Sequence, residues 1–133
     1  MTTQGWFLTE LDLHELPGGA RFTLLTSLVY QSESGTRYVV PPGTETDFAS
    51  VPRALWNVLP PFGKHSRAAV LHDWLYQVAP HAMSRGMADG LFREAMKALG
   101  VGWLTRQTMW SGVRAGGWKP WRRYRAHDRE QVA

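Results

Sequence analysis

Ala68-Ala69-Val70-Leu71-His72-Asp73-Trp74-Leu75-Tyr76 sets an imidazole and a carboxylate side by side inside an apolar run. Such a pair is costly to bury unless each group finds a partner. On a helix, His72 and Tyr76 stand four apart and Asp73 and Tyr76 three apart, so imidazole, carboxylate and phenol can address one neighbouring element. Two more carboxylates can serve as partners: Asp47 in Thr46-Asp47-Phe48-Ala49-Ser50-Val51-Pro52, and Asp89 in Met87-Ala88-Asp89-Gly90-Leu91-Phe92. The organising expectation is that Asp47, His72, Asp73 and Asp89 converge in one pocket.

Working outward, the helix that carries His72 is predicted over about Ser66 to Ala79, ending before Pro80. Ser84 is a suitable cap for a helix over 85–99, with Gly100 as its stop. A further helix is expected over 102–115, before Gly116-Gly117. A short one should open at Ser50, with Pro52 in its first turn, and end at Leu59 before Pro60-Pro61-Phe62-Gly63. Upstream, residues 6–14 and 21–31 are rich in β-forming side chains and read as strands separated by the Pro17-Gly18-Gly19 break. Ser32-Glu33-Ser34-Gly35 then turns the chain back through 36–40, and Pro41-Pro42-Gly43 ends the sheet. The expected fold is α+β: a small N-terminal antiparallel sheet of about three strands, packed with a C-terminal layer of three to four helices. Residues 1–117 form a single domain in this reading, and 118–133 a basic, aromatic-rich tail.

A chain of 133 residues is long enough for one hydrophobic core. With no cysteine, disulfides and thiolate metal sites are excluded, which fits a reducing compartment. Residues 1–6 lack the basic-then-apolar pattern of a signal peptide, and no run approaches the roughly 20 apolar residues of a membrane span. Of the net charge of +4, the segment after Gly117 supplies +3. The nearly neutral remainder argues against a nucleic-acid-binding core. Trp118-Lys119-Pro120-Trp121-Arg122-Arg123-Tyr124-Arg125 mixes rings with cations; it can stack on bases, lie at a lipid interface or dock on another protein. Its plainer role is to cover the domain with its tryptophans.

If Asp89 accepts a proton from one nitrogen of His72, it fixes the tautomer and leaves the other nitrogen as a base or ligand. The same groups could equally form a satisfied polar network that pins helices together. Carboxylates brought together repel one another unless a cation or shared protons intervene. Any such cation is expected to be Ca2+ or Mg2+, held by Asp47 and Asp73 with carbonyls of Pro42-Gly43-Thr44-Glu45, all hard oxygen donors. Zn2+ on His72, Asp47 and Asp73 or His65 is less suited, because no recognised zinc spacing supports it. His14, His81 and His127 read as surface residues, and Ser50 as a helix cap.

Val40-Pro41-Pro42-Gly43, Thr46-Asp47-Phe48-Ala49-Ser50-Val51-Pro52-Arg53, Leu59-Pro60-Pro61-Phe62-Gly63, the His72 run and Ala88-Asp89-Gly90-Leu91-Phe92 occur here in one order. In that ordered set, over about residues 20–115, the chain resembles the phage and prophage proteins grouped as domain of unknown function 1353. The resemblance implies a phage- or prophage-encoded protein and no activity; such a protein is expected in the host cytoplasm when made, with association with the virion as an alternative destination. Separately, His72-Asp73-x-x-Tyr76 followed by Asp89 is similar to the catalytic helices of phospholipase A2. That similarity implies a catalytic set of His72 as base, Asp89 as its orienter and Tyr76 within their network, with Asp73 as a calcium ligand. The glycine-rich calcium loop and the disulfides of those enzymes are missing. Two expectations follow. One is a metal-assisted hydrolase acting on lipid or cell-envelope bonds. The other is a non-catalytic virion, tail or assembly component whose polar cluster is structural, with 118–133 docking on other virion proteins or on envelope lipid.

Overall fold

Leu24 and Leu25 are adjacent, and an extended chain with a two-residue period can turn only one of them inward. Leu24 is buried and Leu25 is exposed, and the chain bends there. This bend divides the expected sheet in two. The computed structural model describes residues 4–19, 21–47 and 63–132. Its strands are β1 (Trp6–Phe7), β2 (Leu13–Glu15), β3 (Phe22–Leu24), β4 (Leu28–Gln31), β5 (Arg37–Val40) and β6 (Glu45–Thr46). They form two three-stranded antiparallel sheets, ordered β1-β4-β5 and β2-β3-β6.

The expected strands 6–14 and 21–31 do lie against each other, in a single register. Trp6 faces Gln31 and Phe7 faces Tyr30; further along, Leu13 faces Leu24 and Glu15 faces Phe22. Between the two paired pieces the Thr9 hydroxyl accepts the Val29 N–H, and Leu25 N–H reaches the Asp12 carbonyl. Each predicted strand is therefore two short strands, one in each sheet. The hairpin from β4 to β5 forms as its turn sequence predicts, with Leu28, Tyr30, Tyr38 and Val40 turned to the core. β6 occupies a stretch whose sequence reads as loop. Gly43, at φ 87°, reverses the chain so that Glu45 and Thr46 pair along the free edge of β3.

Four helices make up the C-terminal half: α1 (Ser66–Val78), α2 (Arg85–Ala98), α3 (Trp103–Gly116) and α4 (Trp118–Val132). The Ser84 hydroxyl caps α2 by accepting the Met87 N–H at 3.2 Å. α1 is buried on nearly every side, as its composition requires, because it packs on α2, α4, β4 and β6. Residues 118–132, set apart as a tail in the sequence, are a helix lying against α1 and α3. The fold is α+β. The predicted short helix over 50–59 lies outside the described residues. No helix among the described residues is long and apolar enough to cross a membrane.

Candidate functional site

Successive residues on a helix point about 100° apart, and α1 uses that angle to send His72 and Asp73 to different neighbours. His72 faces α2. Its Nε2 lies 2.7 Å from Asp89 Oδ1, its ring stacks on Phe92 at 4.5 Å, and the tilted Tyr76 ring lies 4.4 Å away. The Tyr76 hydroxyl donates to the same Asp89 Oδ1 at 2.6 Å. Asp89 Oδ2 accepts from Arg114 at 2.8 Å and from Arg85 at 3.3 Å. Four donors thus surround a carboxylate whose side chain, like that of His72, is 0% exposed, and a carboxylate offers about four acceptor positions. Arg85 also donates to the Val113 and Arg114 carbonyls at the end of α3. Gly117 follows there, and a Cβ at that position would strike the Tyr76 hydroxyl and the Val113 carbonyl. Only a glycine lets the α3–α4 joint approach the phenol so closely.

Burial lowers the imidazole pKa, against the opposing pull of Asp89. His72 is therefore a neutral ring donating Nε2–H to Asp89. Burial alone would raise the carboxyl pKa of Asp89, but its bonds to His72, Tyr76 and Arg114 hold it below the ordinary range. The anion is held by the His72 and Tyr76 donors together with the Arg114 and Arg85 guanidinium groups. Burial and the bond to Asp89 push the Tyr76 phenol upward, so it remains a proton donor.

Asp73 faces the sheets. Its Oδ2 accepts from the Thr46 hydroxyl at 2.5 Å, while Oδ1 has no hydrogen-bond partner among the described residues. Burial pushes this carboxyl up to about 7, and the Asp47 charge adds to the rise although Thr46 opposes it. Half-buried Asp47 joins Glu45, Thr46, Arg21, Gln77 and Tyr124 around a cleft of about 340 Å³. Burial followed by the charges of Asp73 and Asp47 raises the Tyr124 phenol to about 12.

The expected single pocket is therefore two arrangements, one on each side of α1. His72, Tyr76 and Asp89 meet as their spacing suggested. Asp73 and Asp47 belong to the other set. Among the described residues, no three His, Cys, Asp or Glu side chains are placed to hold a metal ion. His65 is buried at the start of α1. His14, His81 and His127 are exposed, and Ser50 lies outside the described residues. The sequence reading missed Arg85, Arg114 and Thr46. Arg85 had a local signal, since it stands four residues before Asp89 on one helix face. Arg114, 25 residues from Asp89, had none.

Comparison with known proteins adds a family and no activity. The chain is 30% identical over 96 residues to the uncharacterized protein y4jT of Sinorhizobium fredii (strain NBRC 101917 / NGR234), a stretch covering 68% of this chain and 27% of that protein. The chain thus spans about a quarter of that relative's length. No solved structure matches. Residues 22–113 match the family described as "Protein of unknown function (DUF1353)", and with well over half of its length inside that match, the chain belongs to this family.

Proposed function

We propose that this is a phage- or prophage-encoded assembly or virion component, in which the His72–Asp89 centre braces helices and performs no chemistry. The observation that carries this reading is the saturation of Asp89: four donors from three helices fill its acceptor positions, and His72 beside it is closed to solvent. A general base needs water within hydrogen-bond reach, and a brace needs none. The outer face of α4 supplies the docking surface in this reading. Lys119, Arg122 and Arg123 are exposed there, and Lys119 and Arg122 both lie over the ring of Trp118, at 5.5 and 5.3 Å.

The hydrolytic reading has one observation on its side. Asp73 Oδ1 is a buried oxygen without a hydrogen bond among the described residues, with the Asp47 carboxylate near it, and carboxylate oxygens are donors that Ca2+ or Mg2+ takes. Those donors suit a hard cation. Their position across α1 from His72 does not suit one cation serving that imidazole in the phospholipase A2 manner.

The test pairs two variants. Asp89→Ala leaves Arg85, Arg114, His72 and Tyr76 without their shared acceptor, and breaking such a buried pair costs about 3–5 kcal/mol; urea unfolding measures it. The combined variant Lys119→Glu, Arg122→Glu, Arg123→Glu should keep the wild-type unfolding midpoint and lose incorporation into particles of the parent phage. Undiminished incorporation of that variant, or release of fatty acid from phospholipid vesicles by wild type but not by His72→Ala, overturns the proposal.

A further inference from the structure

Away from the Asp89 centre, the outer face of α2, the first turn of α3 and the β4–β5 turn enclose a second cleft of about 390 Å³. That volume lies within the range of small-molecule sites. We propose that this cleft binds a small phosphate-bearing molecule with a flat ring, of about the size of a mononucleotide.

Three cations line the cleft: Arg93, Lys97 and Arg106. Among the described residues none of them is in an ion pair. Arg93 and Arg106 are nevertheless held in place by uncharged partners. The Arg93 guanidinium lies 4.5 Å over the Trp110 ring, and Arg106 donates to the Val101 carbonyl at 2.9 Å. Two planar forks are thus oriented in advance without a direct salt bridge among the described residues, in a cleft whose three cations outnumber its two carboxylates, Glu33 and Glu94. Arginine forks grip a phosphate with two parallel bonds. Lys97, exposed at the end of α2, adds a mobile third donor.

The two carboxylates on the rim decide what kind of phosphate fits. Glu94 Oε1 accepts the Tyr30 hydroxyl at 2.5 Å and the Glu33 N–H at 3.0 Å, so this oxygen serves the hairpin. Glu33 sits beside it on the β4–β5 turn. A nucleic-acid strand would drive successive phosphates past these acids, whereas a single phosphate can sit among the cations alone. The ring is assigned by Trp103, whose indole lines the cleft and is 64% exposed. An open indole offers a flat ring a stacking surface. A Cβ at Gly90 would meet nothing within 4 Å, so the floor beside the cations is open.

Calorimetric titration of the full chain at fixed ionic strength, with inorganic phosphate, AMP and adenosine, tests the proposal. AMP should bind about tenfold more tightly than inorganic phosphate, equivalent to about 1.4 kcal/mol of stacking, and adenosine more weakly than AMP. Trp103→Ala should bring AMP down to the level of inorganic phosphate, and Lys97→Glu should weaken both. These side chains are exposed, and unchanged thermal midpoints would confirm that both variants fold. Absence of heat with phosphate and AMP at millimolar concentration overturns the proposal. So does binding indifferent to Lys97→Glu, or an oligonucleotide that binds more tightly than AMP.

Discussion

A carboxyl that titrates near neutrality inside a helix is a stability cost that pH can expose. Asp73 moves from 3.8 to about 7 on folding, chiefly through burial. The folded state therefore holds this proton more tightly than the unfolded chain does. The contribution of the group to stability is greatest below about pH 4 and declines as pH rises through about 7, by up to roughly 4 kcal/mol. Asp73→Asn keeps a carbonyl oxygen for Thr46 and carries no charge. Denaturant unfolding from pH 4 to pH 8 should find the variant more stable than wild type at pH 8, with the gap closing toward pH 4. At this scale the sequence was half legible. The four-residue spacing of His72 and Tyr76 announced a shared target, and Asp89 one helix later was a sound choice for it. Asp73 departs from the expected pocket because neighbours on a helix point about 100° apart, which turns it to Thr46 while His72 meets Asp89. Arg114 was invisible because nothing local links it to Asp89.

At the scale of elements, the helix ends were legible because their signals are chemical: Ser84 as a cap, Pro80 and Gly100 as stops. The strands were less so, since their bends depend on which apolar residue of an adjacent pair wins the core. One end carries strain that sequence did not reveal. α1 closes on Ala79 at φ 45°, and His81 and Ala82, at 58° and 56°, follow in the same left-handed region. A residue with a Cβ loses about 1 kcal/mol or more there relative to glycine. Ala79→Gly should therefore raise the thermal midpoint, with a gain of about 1 kcal/mol less the added entropy of the unfolded chain; calorimetry measures it. A lower midpoint would show that the Ala79 methyl contributes more by packing than its backbone costs.

Across the whole molecule, α1 is the common wall: α2 and α4 cover two of its sides, and β4 and β6 reach it from the sheets. Gln77 Nε2 bonds the Glu45 carbonyl on β6, and Arg125 from α4 bonds the Tyr76 and Gln77 carbonyls at 2.8 and 2.9 Å. An element so enclosed opens only when everything else does. Hydrogen–deuterium exchange should find the amides of Val70 to Tyr76 the slowest in the chain, with an opening free energy equal to that of denaturant unfolding; faster exchange there than in α3 would contradict the arrangement. The α+β class was legible from the change of hydrophobic period between the halves of the chain. The place of the final helix was not, because its basic composition resembles a free end. Trp121 stands edge-on to the Tyr76 ring at 5.2 Å, and Arg125 lies over Trp121. The fifteen residues of α4 therefore act as a stopper. Lifting α4 would let water reach the phenol, so a protease that cuts at the α3–α4 joint would loosen the molecule at its middle.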